Sequence, residues 1–314
     1  MKISIVMATF NGIKFIEQQL DSIRLQTLQP NEVIIRDDGS TDGTLVFIIN
    51  YIEKHGLSNW FVKKNEINLG WRKNFIQLFK DATGEIIFLS DQDDIWNKKK
   101  IELMSNEFKE HPQIMLLTSD YEEILQGGAS WDLEVYKSKR VGNSDLILTT
   151  LGTLRQLRPG NGSAFRSSIL PLVYLFHEFN DQMAHDTILE IITRISGNMY
   201  NFPQTVGKWR KYCESAFAKE DKITKSGSSG LEILKMRILN QQTRSLQTIQ
   251  FIDEYKNKLP GWEKYYKFVV RHYRVCEQAM DFIDGKSFIL NPFRIIPALG
   301  LWTYKRLLKL RFLK

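Results

Sequence analysis

Three carboxylates stand within four residues at Asp91-Gln92-Asp93-Asp94. Acidic groups that close repel one another and call for a cation. Hard divalent ions such as Mg²⁺ and Mn²⁺ take oxygen ligands and keep positions for water and phosphate. One or two of these carboxylates plus a diphosphate would fill such a shell. The plainer reading is an acidic turn capping the next helix, whose first turns hold Lys98, Lys99 and Lys100. The run follows an apolar strand directly, which favours the metal. Asp37-Asp38-Gly39-Ser40 closes another strand. A carboxylate there can accept from the imide N–H of uracil or thymine. Alternatively the segment is a β-to-α turn in which Ser40 or Thr41 caps a helix. Asp186 follows His185 and precedes an apolar helix. It suits a general base facing a hydroxyl, or an N-cap for Thr187-Ile188-Leu189. His185 reads as structural.

These residues need elements to hold them, and the first half of the chain supplies strands alternating with helices. Ile3 to Ala8 is a short apolar run ending at the turn signal Asn11-Gly12. Phe15, Ile16, Leu20 and Ile23 recur at helical spacing. Glu32 to Arg36 is a second β-branched run, followed by the stripe Leu45, Ile48, Ile49 and Ile52. Trp60 to Val62 predicts a third strand, Phe75, Leu78 and Phe79 a third helix, and Glu85 to Leu89 a fourth strand. This order predicts an α/β fold with a mostly parallel, Rossmann-like sheet and flanking helices. Ligands bind such sheets at the carboxyl ends of the strands, and every polar cluster named above follows a strand. Further on, Met115 to Thr118 reads as a strand, Arg158 to Ser163 as a turn-rich loop and Thr187 to Ile195 as a helix. Ser226 to Gly230 reads as a linker. Two long helices, about 231–258 and 262–284, flank Pro260-Gly261. The chain divides into a nucleotide-binding and catalytic unit over 1–220 and a helical C-terminal region over 221–314.

The 314 residues suffice for a substantial core, and 43% hydrophobic with 25% charged content is ordinary for a globular protein. A formal net charge of +7 is compatible with nucleic acid, anionic membrane or anionic small substrates. No basic stripe with interleaved aromatics marks an RNA reader, so nucleic acid is not expected. Cys213 and Cys276 lie far apart without CxxC spacing, which argues against a zinc site or a disulfide and predicts two buried free thiols. The N-terminal apolar run is too short for a signal peptide. The stretch from Phe288 to Tyr304 is broken by Pro292, Arg294 and Pro297 and makes no transmembrane span. A cytosolic protein is expected, with contact to a membrane surface open.

Taken together, these residues resemble the family 2 glycosyltransferases, whose fold is called GT-A. Ile5 to Gly12 resembles the first strand and nucleotide loop. Asp37 to Thr44 resembles the second signature, and Asn68-Leu69-Gly70 with Asn74-Phe75 the third. Phe88 to Trp96 matches the metal-binding DxD signature. The likeness covers about residues 1–210. Ser90-Asp91-Gln92-Asp93-Asp94-Ile95-Trp96, Gly160 to Phe165 and His185-Asp186 point to a rhamnosyltransferase-like branch. Where that branch has Tyr-Arg, a basic or amide residue and then His, this chain has Trp209-Arg210-Lys211 and then Tyr212.

The resemblance implies roles. Ala8, Phe10 and Asp38 would hold the base and Asp91 the ribose side, within a nucleotide site completed by Thr9, Asn11, Asn68, Gly70, Gln92 and Arg210. Asp93 would bind Mg²⁺ or Mn²⁺, and Asp186 would deprotonate the acceptor. The implied activity is inverting transfer from a nucleotide-sugar donor, dTDP-L-rhamnose or a UDP-hexose. The implied acceptor is a lipid-linked saccharide of a growing cell-surface polysaccharide, at the inner face of a bacterial membrane. The alternative is a non-catalytic protein of the same fold that binds a sugar nucleotide or a partner transferase. A dinucleotide-dependent oxidoreductase is disfavoured, because no GxGxxG follows the first strand. In Leu301 to Lys314, Lys305, Arg306 and Lys309 fall on one helix side and Leu301, Tyr304, Leu308 and Phe312 on another. That suits an interfacial helix on anionic lipid or a terminal helix docked on the protein. The long C-terminal helices also suit pairing of two copies as a homodimer.

Overall fold

The computed structural model describes residues 1–126, 145–147, 160–215, 218, 229–287, 291–300, 303–305 and 307. The strands are β1 (Ile3–Thr9), β2 (Glu32–Asp37), β3 (Trp60–Lys64), β4 (Ile86–Asp91), β5 (Ile95–Trp96), β6 (Leu116–Leu125), β7 (Asp145–Leu146), β8 (Ala164–Arg166) and β9 (Met199–Lys211). The helices are α1 (Ile16–Arg24), α2 (Thr44–Lys54), α3 (Gly70–Asp81), α4 (Lys100–Glu110), α5 (Leu170–Phe179), α6 (His185–Ile195), α7 (Gly230–Tyr255), α8 (Trp262–Ile283) and α9 (Pro292–Leu299).

The sheet runs β3-β2-β1-β4-β8-β6-β9-β5, with β7 joined to β9. The pairs β3–β2, β2–β1, β1–β4 and β6–β9 are parallel, while β8 runs antiparallel between β4 and β6. Ala8 sits in register with both Arg36 and Asp91. The carboxyl ends of the three central strands therefore finish level, and the loops leaving them meet.

β1 and β4 read as unbroken apolar runs because helices cover both sheet faces. On one face Val6, Ile34, Ile87 and Leu89 pack with α3, α5 and α6. On the other Ile5, Met7, Val33 and Phe88 pack with α1, α2 and α4. Phe251, Ile252, Tyr265 and Val269 of α7 and α8 belong to the first of these clusters. The C-terminal helices thus complete the core under α5 and α6. α7 opens with a capping box in which Ser229 and Glu232 bond each other's backbone N–H.

The expected strands and helices appear, with differences. α4 begins at Lys100, so Lys98 and Lys99 precede it, and its N-cap Lys99 receives no side-chain bond. The acidic run is therefore not a helix cap. β8 directly follows the turn-rich stretch that ends at Ser163, and β5 and β9 join the sheet as well. Cys276 is buried, but Cys213 is exposed just past the end of β9, contrary to the expectation of two buried thiols. Leu307 is buried against Ile295, Ala298 and Leu299, with Tyr304 beside them. Leu301, Trp302, Arg306, Leu308, Lys309, Arg311, Phe312 and Lys314 lie outside the described residues.

Candidate active site

The loop after β1 is tied to both neighbouring loops. Asn11 has a left-handed backbone (φ 49°). Its N–H donates to Ser40 Oγ at 2.9 Å and its Oδ1 accepts from Thr41 N at 2.8 Å. The Gln92 side-chain amide pairs both ways with the Phe10 backbone: Phe10 N donates to Oε1 at 2.8 Å and Nε2 donates to Phe10 O at 2.9 Å. A Cβ on Gly12 would stand 2.2 Å from Gln92 Oε1, so any other residue here must push the Gln92 amide aside. Phe10 remains 46% exposed and offers an apolar face. Thr9, by contrast, is buried, and its hydroxyl bonds Asp37 Oδ1.

Asp38, Asn68 and Gly70 come together, and Asp38 is already engaged. Its Oδ1 accepts from Leu69 N and Asn65 Nδ2 and its Oδ2 from Gly70 N, at 2.7–2.8 Å. Asn68 Nδ2 donates to the Asp38 carbonyl. The carboxylate thus satisfies orphan N–H groups at the start of α3. The turn after β2 is organised by Asp37, which accepts from Gly39 N and Ser40 N. Neither Ser40 nor Thr41 caps α2. Gly43 holds that position with φ 94°, and Asp42 accepts from Thr44 N.

Asp91 ends β4, and Asp93 and Asp94 follow in the turn. Asp94 is buried and Asp91 and Asp93 are half-buried, and desolvation is the largest cause of their raised pKa values. Asp91 is pushed up to about 7, with Asp93 and Asp186 adding repulsion. Asp94 is raised well above the usual range, against the lowering effect of bonds from the Arg210 backbone and the Asn161 side chain. Asp93 is raised less freely, because the Tyr212 hydroxyl donates to its Oδ2 at 2.7 Å. Among the described residues no three His, Cys, Asp or Glu side chains converge on one point. The oxygen-only set around Asp91 and Asp93 fits a hard divalent ion that takes its remaining ligands from water and phosphate.

Arg210 lies in β9 and is nearly buried. Its Nε donates to Asp93 O and its Nη2 to Gln18 Oε1, both at 2.7 Å, and its guanidinium lies 4.6 Å from the Phe15 ring centroid. Its backbone N–H donates to Asp94 Oδ1. It shapes the acidic turn, and the guanidinium is committed to that task.

Asp186 is the second residue of α6, and Ala184 is the N-cap. The cap reading is therefore corrected. Asp186 Oδ1 accepts from Thr187 N at 2.7 Å. Burial, then Glu190, raise its carboxyl to about 6. A Cβ on Gly160 would lie 3.7 Å from the Asp186 Cβ, so the Gly160–Gly162 turn runs beside the carboxyl. His185 is buried, stacked on Phe75 at 3.8 Å and edged by Trp71. Burial lowers its imidazole to about 3, so it is neutral and structural.

Sequence reasoning missed three contributors. Tyr212 was noted only as a departure, Lys100 was one of three adjacent lysines, and Asn161 was one residue of a turn. Lys100 is 1% exposed and donates to the Asn161 carbonyl. Burial lowers it to about 7 against the pull of Asp94 and Asp91.

The glycosyl transferase family 2 model matches residues 4–170 of the 314. An uncharacterised glycosyltransferase of Nostoc is 23% identical over 248 residues, 76% of this chain and 74% of that one. The dTDP-rhamnosyl transferase RfbG of Shigella flexneri is 44% identical over 103 residues, 30% of this chain and 34% of its own length. The poly(ribitol-phosphate) β-N-acetylglucosaminyltransferase TarS of Staphylococcus aureus is 32% identical over 119 residues, 37% of this chain and 20% of its own. Among solved structures, TarS 1–349 with UDP-GlcNAc superposes with a TM-score of 0.56 at 18% identity, covering 98% of this chain and 91% of that one. The mannosyltransferase PcManGT of Pyrobaculum calidifontis with GDP-Man and Mn²⁺ gives 0.52 at 18% identity, covering 98% and 80%. These two likenesses concern the fold, which is GT-A. With the signature residues gathered at the carboxyl ends of a mostly parallel sheet, and the family model matching more than half its length, this chain belongs to glycosyl transferase family 2.

Proposed function

We propose that the chain is an inverting, divalent-metal-dependent glycosyltransferase, moving L-rhamnose from dTDP-rhamnose or a hexose from a UDP-sugar onto a lipid-linked cell-surface polysaccharide. The observation that carries this reading is the meeting of two acidic groups of different origin. Asp91 and Asp93 stand at the end of a parallel strand, and Asp186, on α6, is close enough to raise the Asp91 pKa.

Asp93, with Asp91, would hold Mg²⁺ or Mn²⁺, which supplies charge stabilisation for a departing nucleoside diphosphate. Phe10 offers a face to the base. The loop after β2 that carries Asp38, joined to Asn68 and Gly70 of the loop after β3, would border the base, and the Phe10–Gln92 pair would fix the floor. Asp186 takes the proton from the acceptor hydroxyl. Its first oxygen is held by Thr187 N, which leaves the second free for that proton. The buried Gly160–Gly162 turn packs beside it, with Gly160 against His185 and Asp186 and Gly162 against Ser119. A base on the side away from the leaving group makes the attack inverting. RfbG, named a dTDP-rhamnosyl transferase, supports the rhamnosyl reading. TarS, named a poly(ribitol-phosphate) β-N-acetylglucosaminyltransferase, supports a polymeric acceptor. No helix among the described residues is long and apolar enough to cross a membrane. A lipid-linked acceptor would then be met at the membrane surface.

The test is a thermal-shift screen of nucleotide sugars with and without Mn²⁺, followed by turnover with the donor that stabilises most. A metal-dependent rise with a dTDP- or UDP-sugar is expected. No shift with any sugar nucleotide would sink the reading.

A further inference from the structure

Tyr212 follows β9 directly and is half-buried. Its hydroxyl donates to Asp93 Oδ2 at 2.7 Å. A phenol is protonated at neutral pH, so it is the donor in that pair. The Tyr212 ring meets the Phe15 ring edge-on, with centroids 4.9 Å apart and the planes at 61°. Arg210 lies 4.6 Å from the centroid of the same Phe15 ring, and its Nε donates to the Asp93 carbonyl at 2.7 Å. Phe15 is buried. Asp93 is thus gripped twice from the end of β9, at its carbonyl and at one side-chain oxygen, and both gripping side chains brace on one ring. The strand end is itself anchored, since Gln126 N donates to Lys211 O and Lys211 Nζ pairs with Glu123 at 2.7 Å. The carboxylate cannot turn without breaking the phenol bond, and the backbone beneath it cannot shift without breaking the guanidinium bond. None of the roles proposed above uses the phenol.

We propose that Tyr212 sets the ion choice of the donor site, by confining Asp93 to coordination through one oxygen and so favouring small octahedral ions such as Mg²⁺ over Ca²⁺. The proposal rests on the metal-dependent donor reading above. Its physics is ligand number and geometry. Ca²⁺ takes about 6–8 oxygens at about 2.3–2.6 Å in a flexible shell and accepts both oxygens of one carboxylate. Mg²⁺ demands a near-octahedral shell at about 2.0–2.1 Å and keeps several waters, with phosphate among its other ligands. A carboxylate whose Oδ2 is held by a phenol presents Oδ1 as a single ligand. Mg²⁺ loses nothing by this, because water and phosphate complete its shell. Ca²⁺ loses a ligand. Tyr212 acts as a positioning residue, choosing the ion without touching it.

The test uses Tyr212→Phe in the full chain, which deletes the hydroxyl and keeps the ring on Phe15. Bound Mn²⁺ serves as the reporter by electron paramagnetic resonance, alone and with UDP or dTDP, and is displaced by Ca²⁺ or by Mg²⁺. In the variant Ca²⁺ is expected to compete about tenfold better than in the wild type, while Mg²⁺ changes by no more than about twofold. In the wild type the preference for Mg²⁺ over Ca²⁺ is expected to exceed that of free UDP or dTDP by about tenfold. A ratio of Ca²⁺ to Mg²⁺ competition that is the same in variant and wild type overturns the proposal, whether both affinities hold or both fall, since a merely structural phenol would move the two ions alike. A wild type no more selective than the free nucleotide overturns it as well, and that measurement needs no variant to fold. Wild type that binds Mn²⁺ but none of UDP, dTDP or GDP with it would contradict the donor reading instead, and the competition on Mn²⁺ alone would still decide the role of Tyr212. Wild type that holds no Mn²⁺ under any of these conditions overturns both.

Discussion

At Asp93 a phenol already holds one carboxylate oxygen, so a cation would be met chiefly by the other. Asp93→Ala is expected to abolish transfer and lower nucleoside diphosphate affinity in Mn²⁺ while leaving the fold intact. Calorimetry with and without Mn²⁺ checks this, and an unchanged metal-dependent affinity would remove Asp93 from the metal site. Asp186→Asn should keep donor binding and lose about 10²–10⁴-fold in turnover. With the Asp186 carboxyl at about 6, kcat/KM in the wild type should rise through that pH as the base loses its proton. The Asn variant should lack that limb. Stability should move the other way. A carboxyl whose folded pKa is raised binds more protons folded than unfolded, so its contribution is full below the ordinary carboxylate range and is lost as pH rises through about 6. Asp186→Asn is therefore expected to stabilise the ligand-free protein above pH 7, on the order of 1–2 kcal/mol, measurable by denaturant titration at pH 5 and pH 8. Asp91 and Asp93 stand out in the chain because carboxylates at a strand end carry a local signal, whereas the role of Asp186 is implied only by the family resemblance. Tyr212 and Lys100 do not stand out, because each gains its place in the site from a contact across more than 60 residues.

Among the elements, β1, β2 and β4 and the helices between them were readable because helices cover both sheet faces and leave clean apolar runs. β9 was not. Its thirteen residues include Asn201, Gln204, Thr205 and Lys208, and its register with β6 shifts twice, so no period of two survives. β5 and β8 are two and three residues long and exist through their neighbours. The boundaries of α7 and α8 matched closely, because Ser229 with Glu232 and then Gly261 mark their starts. At this scale Gly12 joins two loops. Gly12→Ala should push the Gln92 amide off the Phe10 backbone and cost its two hydrogen bonds, about 1–2 kcal/mol. Weaker nucleotide binding with an unaltered circular dichroism spectrum is the expected result. Wild-type affinity would mean that the Gln92 clamp is incidental.

For the molecule as a whole, the C-terminal helices share a core with the helix that carries Asp186. Phe251 of α7 is fully buried, with its ring centroid 4.4 Å from that of Phe176 of α5. Phe251→Ala is expected to cost about 3–5 kcal/mol. It should lower the midpoint of one transition seen alike by tryptophan fluorescence and calorimetry. Two separated transitions would instead support a helical region that folds independently beyond about residue 220. The C-terminal helices were visible in the sequence, but their docking was not, since periodicity states that a face is apolar and not what it meets.

The route from Asp38 to α3 and on to His185 has a consequence for how the chain can change length. Asp38 grips the first turn of α3 at Gly70, and Phe75, within that helix, carries the His185 ring. One residue inserted between them would turn Phe75 by about 100° and advance it about 1.5 Å, so one of the two grips must let go. Positions 70–75 therefore act as a fixed spacer between the Asp38 loop and the start of α6. Gly56 and Leu57, ahead of β3, meet neither grip, and there the chain can lengthen without disturbing that spacing.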